Sequence, residues 1–191
     1  MTEQLPLPRS TAWWAVVRCV ATTARLLAAR RIHQPRRLVG RRLAFADGSE
    51  SWVYRETIVD RPTPSDPAVL VVAFRLRGVR GRGHAVFRAE SLLNTPLFVG
   101  FPGFVSKLWL AHDSNNVYRG VYEWDGPWLA EQYARSLWRV LALVSARGSI
   151  RYHIGPQLTR DAFLRQLNPP PAGWSGDWWQ LSQPVALVSR H

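Results

Sequence analysis

Pro102-Gly-Phe-Val-Ser-Lys-Leu-Trp-Leu-Ala-His112 and Val117-Tyr-Arg-Gly-Val-Tyr-Glu-Trp-Asp125 decide the fold. Both segments are rich in aromatic and β-branched residues and alternate with a period of two, the pattern of adjacent strands. Asp113–Asn116 supplies the turn between them. The first segment carries Lys107, the one lysine among 25 basic residues, the other 24 being arginine. Lysine differs from arginine in geometry, hydration and ease of pKa shift. An amine kept inside an aromatic strand of an arginine-rich chain therefore has two readings. It snorkels from a sheet face, or it lines a pocket.

Working outward, Pro127 suits the first position of a helix running to about Arg147, with Gly148 as its C-terminal stop. Ser149–Ile154 is a last strand. Upstream, Ala68–Arg77 is a strand of continuous apolar character, Gly78–Gly83 a basic glycine-rich turn, and His84–Leu97 a helix. The order is β-α-β-β-α-β, the split βαβ of an α+β, ferredoxin-like fold. Both helices then lie on one face of the sheet. The other face is apolar and must be covered by the N-terminal segment or by another subunit.

The chain has 191 residues, 47% of them hydrophobic and ten of them tryptophan, enough to fill a core. A single cysteine, Cys19, allows no internal disulfide, and no Cys/His cluster of zinc spacing is present. With no apolar run of spanning length and no signal-peptide pattern, the expected location is cytoplasmic. The net charge of +12 is uneven, because residues 1–42 hold nine arginines and a single acid, Glu3. A helix from Ser10 or Thr11 to about Arg31 places Trp13, Val16, Val17, Val20, Ala24 and Leu27 at helical spacing, with Arg18, Thr22 and Arg25 on another face. Such a basic amphipathic helix covers its own domain, rests on an anionic membrane through residues 10–42, or binds nucleic acid. No nucleic-acid module accompanies the charge, so nucleic acid is not an expected partner.

Arg42–Ala46 and Ser51–Val59 flank Asp47-Gly48, a strong hairpin signal. Alternation in the second strand groups Trp52, Tyr54 and Glu56 against Val53, Arg55 and Thr57. Arg61–Pro67 holds three prolines and reads as a linker. The expected organisation is a helix-and-hairpin extension over 1–67, a ferredoxin-like domain over 68–165, and a Pro/Trp-rich tail over 166–191. Trp174, Trp178 and Trp179 in that tail want burial and are expected to wrap back over the body or a partner.

Pro102-Gly103-Phe104, Ser106-Lys107-Leu108-Trp109, Gly120-Val121-Tyr122 and Trp124, followed by Ala130-Glu131 and Tyr133, resemble the small YdhR-like monooxygenases of the dimeric α/β-barrel superfamily. The resemblance covers roughly residues 68–165. It implies a homodimer with two sheets facing each other and a cavity in each subunit between sheet and helices. Relatives of that fold include cofactor-independent quinone-forming monooxygenases, haem-binding enzymes, lactone isomerases and polyketide cyclases.

Alternation puts Val105, Lys107, Trp109 and Ala111 on one face, and Tyr118, Gly120, Tyr122 and Trp124 on a shared face of the next strand. That joint face lines the cavity or makes the dimer core. In the cavity reading Lys107 stabilises a substrate anion, Tyr122 orients it by hydrogen bond, and His84 is the general base. Trp109, Tyr118 and Trp124 form walls, and Gly120 leaves space for a planar ligand. His112 and His153 are further histidines without an assigned role. The expected function is a cofactor-independent monooxygenase for a small aromatic or polyketide-like substrate, with no cofactor and no metal. A haem held by His84 is the alternative cofactor. A non-oxidative cyclase or isomerase of natural-product biosynthesis, or a non-catalytic membrane-peripheral binding protein, are the alternative functions.

Overall fold

The computed structural model describes residues 9–79, 81, 83–90, 95, 98–165 and 177–185. Arg80, Arg82, Pro169–Pro171 and Trp174 lie outside them. The elements in chain order are α1 (Arg9–Ala28), β1 (Ile32–His33), β2 (Arg42–Ala44), β3 (Glu50–Val59), β4 (Pro67–Arg75), α2 (Gly83–Glu90), β5 (Phe104–Leu110), β6 (Val117–Asp125), α3 (Pro127–Val144), β7 (Arg151–Pro156) and α4 (Arg160–Arg165).

The strands form one antiparallel sheet in the order β1-β3-β5-β6-β4-β7, with β2 paired to β3. Within it, β7-β4-β6-β5 is the ferredoxin-like arrangement: β6 separates β4 from β5, and β4 separates β6 from β7. The chain is therefore an α+β protein with a ferredoxin-like sheet. Its central strand β4 reads as a continuous apolar run because both faces are buried. Leu70 and Val72 enter the core beneath α3, and Val69 and Val71 enter a second core on the reverse side.

Two sequence expectations change. The strand β3, expected in an extension ahead of the Pro-rich linker, is hydrogen-bonded to β5 inside the same sheet. The linker does break the ladder, and Pro67 sits at the first position of β4, where a missing N–H is tolerated. Secondly, α3 stops at Val144 and does not reach Arg147, because the chain at Ser145–Ala146 turns extended and pairs with the end of β4. The sheet face opposite α3 is covered by the chain itself, one of the two coverings expected. Leu38, Leu43 and Phe45 from the N-terminal side, Phe163 and Leu164 of α4, and Leu181 and Val185 cover it and bury Val53, Leu108, Leu110 and Val121. Trp179 stacks on His153 at 3.7 Å between ring centroids, and the Arg151 guanidinium lies 4.7 Å from the Trp178 ring. The apolar face that motivated sheet-to-sheet pairing with a second subunit is thus covered by this chain's own segments.

The helix α1 packs on the body through Cys19 and Thr23, with Leu26 partly buried. Its backbone comes so close to Gly100 that a Cβ there would lie 2.0 Å from the Cys19 carbonyl oxygen. Only glycine admits that approach. Burial pushes the Cys19 thiol up to about 11 although Gly100 and Phe101 offer it backbone hydrogen bonds, so it stays protonated at neutral pH. The outward side of α1 leaves Trp14, Val17, Val20 and Leu27 exposed. Of the apolar stripe, Val17, Val20, Ala24 and Leu27 are exposed. Among the described residues no helix is long and apolar enough to cross a membrane.

Candidate active site

Two cross-strand rows build the site. Thr57, Lys107, Tyr122 and Leu70 are aligned across β3, β5, β6 and β4, and the neighbouring row is Arg55, Trp109, Gly120 and Val72. Directly opposed residues on one face of a sheet bring their side chains together. Here they meet beneath α3, where a cavity of about 760 Å³ opens between the sheet and Tyr133, Leu137, Val140 and Leu141. Lys107, Trp109, Tyr118, Gly120 and Tyr122 all line it, together with Tyr54, Phe74, Phe87 and Phe98. The volume falls within the roughly 300–1,000 Å³ usual for small-molecule sites.

The Lys107 amine stands 3.2 Å from the centroid of the Trp109 ring, 4.4 Å from Phe98 and 4.6 Å from Tyr122. Its residue is 7% exposed. No carboxylate lines the cavity among the described residues. Stripping an ammonium of water costs several kcal/mol, and three aromatic faces at about 0.5–2 kcal/mol each offset part of that cost. Burial, with the Arg55 guanidinium as a second cause, holds the Lys107 amine well below its ordinary pKa. That shift favours the neutral amine over the standing cation expected from the sequence.

The cage is rigid. The Trp109 indole N–H donates to Thr57 Oγ1 at 3.0 Å. The Tyr133 hydroxyl donates to Tyr122 Oη at 3.3 Å, and burial raises both phenols, so both stay protonated. With its oxygen accepting from Tyr133, Tyr122 keeps its own proton for a ligand. The expected open space over Gly120 is only partly free. A Cβ there would lie 2.7 Å from Tyr122 Cε2, so the missing side chain lets the Tyr122 ring lie back against the strand.

Two expected residues do not line the cavity. Trp124 is fully buried, packed on Phe104 at 5.5 Å and Tyr133 at 4.8 Å, and supports the wall from behind. His84 is buried with Nδ1 2.9 Å from Tyr118 Oη, and its ring stacks on His112 at 3.8 Å. It reaches the cavity only through the Tyr118 hydroxyl, which burial pushes up to about 12. Among the described residues no group of three or more His, Cys, Asp or Glu is placed to hold a metal ion.

Sequence reasoning missed Arg55 and Thr57 as part of this site. The register shifts between Val53 and Arg55. This bulge leaves Val53 and Glu56 on the reverse face while turning Arg55 and Thr57 toward Trp109. Bulges re-aim side chains in this way, and simple alternation cannot anticipate one. Phe98 and Tyr133 were also missed. Tyr133 carried a signal, since it belongs to the helical part of the quoted motif, whereas Phe98 sits in a turn with no periodicity.

No family model matches the chain, and no curated protein does. Solved structures similar to it include a ferredoxin-fold protein from Listeria monocytogenes described as related to antibiotic biosynthesis monooxygenases (15% identity, TM-score 0.41). A monooxygenase-like protein from Listeria innocua (16%, 0.40) and an anthrone oxidase-like protein (16%, 0.34) are also similar. The alignments cover 56%, 56% and 59% of this chain and 63%, 63% and 59% of those chains, less than two thirds of each. At such distances the likeness carries no argument about chemistry, and the ferredoxin-like assignment rests on the strand order itself.

Proposed function

We propose that the protein is a cofactor-independent monooxygenase that converts a small hydroxylated aromatic or polyketide-like compound to a quinone. The supporting observation is an amine capped by three aromatic rings in a cavity free of carboxylates among the described residues. A planar phenol enters between the aromatic walls. Lys107 takes the phenolic proton and becomes an ammonium, whose attraction for the phenolate offsets its desolvation. Tyr122 donates a hydrogen bond to the same oxygen. The ring carbon opposite the hydroxyl, which carries a hydrogen, then reduces molecular oxygen and bonds to it. Lys107 returns its proton to the terminal oxygen. Loss of water, taking that terminal oxygen and the hydrogen of the ring carbon, leaves the second carbonyl of the quinone. Phenol plus O₂ thus gives quinone plus water. His84 sits behind Tyr118 and positions that hydroxyl at the wall.

Oxygen uptake by pure protein with hydroxylated anthrones or naphthols tests this, with one oxygen consumed per quinone formed. Product formation under strict anaerobiosis would replace it with the cyclase or isomerase reading, which uses the same amine on an enolate. Uptake that persists in Lys107→Met would remove the assigned role.

A second, compatible reading concerns α1. Its exposed Trp14, Val17, Val20 and Leu27, beside Arg18 and Arg25, match the pattern of a helix resting on an anionic bilayer. Flotation with phosphatidylserine vesicles, but not with phosphatidylcholine alone, supports that reading. Equal flotation, or none with either, rejects it.

A further inference from the structure

We propose that Lys107 is also a covalent site, whose amine condenses with the carbonyl group of an aromatic aldehyde or ketone held in the cavity. The inference uses the same cavity as the oxygenase reading but none of its oxygen chemistry.

Three features of the site meet the demands of imine formation. The first is a nucleophile with a free lone pair. The Lys107 amine lies on the cavity wall with no ion-pair or hydrogen-bond partner among the described residues, within reach of the Trp109, Phe98 and Tyr122 rings. Burial and the nearby Arg55 hold its pKa well below the ordinary value, which favours the neutral state a lysine nucleophile needs. An arginine at this position would stay protonated, which gives the single departure from the chain's arginine usage a chemical meaning. The second is a proton donor. The Tyr122 hydroxyl accepts from Tyr133, so its own proton is available to the carbonyl oxygen. The third is a slot for the ligand's ring, supplied by Tyr54, Phe74 and Phe98.

The step balances without a further reagent. The amine nitrogen bonds to the carbonyl carbon, and the carbonyl oxygen takes a proton from Tyr122. The nitrogen loses a proton, which restores the tyrosine, and the hydroxyl departs as water with the nitrogen's remaining proton. A neutral imine and one water result. The lone pair used here is the one the oxygenase reading uses to take a proton, so a carbonyl ligand blocks oxygen uptake.

Lys107 being the sole lysine makes the test specific, since the only other primary amine of the chain is its N-terminus. The full chain is incubated with 1-naphthaldehyde at neutral pH, reduced with sodium borohydride, and mapped by peptide mass spectrometry. One naphthylmethyl group on Lys107 is expected, with none at this site after unfolding in urea at the same pH. Lys107→Arg should carry no adduct beyond the N-terminus. Tyr122→Phe, which keeps the amine, should form the adduct roughly 100-fold more slowly, the lower end of a lost general acid's contribution. An adduct confined to the N-terminus, or equal labelling of Lys107 in folded and unfolded protein, overturns the proposal. An adduct on Lys107 without oxygen uptake on any phenol rejects the oxygenase reading alone. Lys107-dependent oxygen uptake without an adduct rejects the imine alone.

Discussion

The two faces of this sheet are made by alternate residues of the same strands, yet they solve opposite problems. On the face beneath α3, Lys107 and Tyr122 are held among aromatic rings around a cavity of about 760 Å³, and the amine there has no counter-charge among the described residues. On the reverse face the buried charges are paired. Arg119 reaches Asp113 at 2.7 Å and Asp47 at 2.9 Å, with the Arg119 and Asp113 side chains each 1% exposed. Arg160 Nη1 stands 3.0 Å from Glu56 Oε1, an ion pair by distance though off-line for a hydrogen bond. A buried charge that is paired is compatible with a sealed core, whereas one without a partner surrenders its proton. The first face is arranged for chemistry and the second for closure.

Substitutions on the two faces should therefore fail in different ways. The largest effect is expected from Lys107→Met, with quinone formation falling roughly 10²–10⁴-fold, the usual contribution of a positioned base. Folding should be intact by circular dichroism. Loss of fold with loss of activity would mean that the amine is structural after all. Next comes Arg119→Met, which strands the Asp113 carboxylate in the reverse core and should cost about 3–5 kcal/mol in urea unfolding. Activity per folded molecule should stay near that of the unmodified protein. A large change in turnover with unchanged stability would erase the distinction between the faces.

Gly120→Ala acts within the cavity by pushing on the Tyr122 ring. A displacement of that kind should lower turnover roughly 10–100-fold. The smallest effect sharpens the comparison through pH. Because Lys107 is held below its usual 10.5 in the folded state, the unfolded chain binds the extra proton between the two values. Stability should therefore rise with pH across that window, by at most about 1.4 kcal/mol per unit, and level off above 10.5. Lys107→Met should remove this slope, and Arg119→Met should not.

Much of the site was legible before any coordinates. Two strands of opposite alternation placed Lys107 and Trp109 beside Tyr118, Gly120 and Tyr122, and the registers Lys107–Tyr122 and Trp109–Gly120 agree. Trp124 misled because its alternation is right while its depth along the strand takes it beyond the cavity, behind Tyr133. His84 misled because its place at the start of α2 gives proximity to the site but not the direction of the ring. On α1, spacing separated apolar from charged residues correctly, but which stripe meets the body depended on Gly100 beneath Cys19.

Taken alone, the amino-acid order determined the split βαβ arrangement, the faces of β5 and β6, and the single lysine's membership of the aromatic one. These follow from a two-residue period and from turn residues, which act within one segment of chain. The tertiary structure decided that β3 joins the sheet through a bulge that turns Arg55 and Thr57 toward Trp109, and that residues from both ends of the chain cover the reverse face. It also decided that the amine is desolvated, which lowers its pKa. Pairing register, coverage and desolvation all depend on what distant segments bring to a position, and no local period records that.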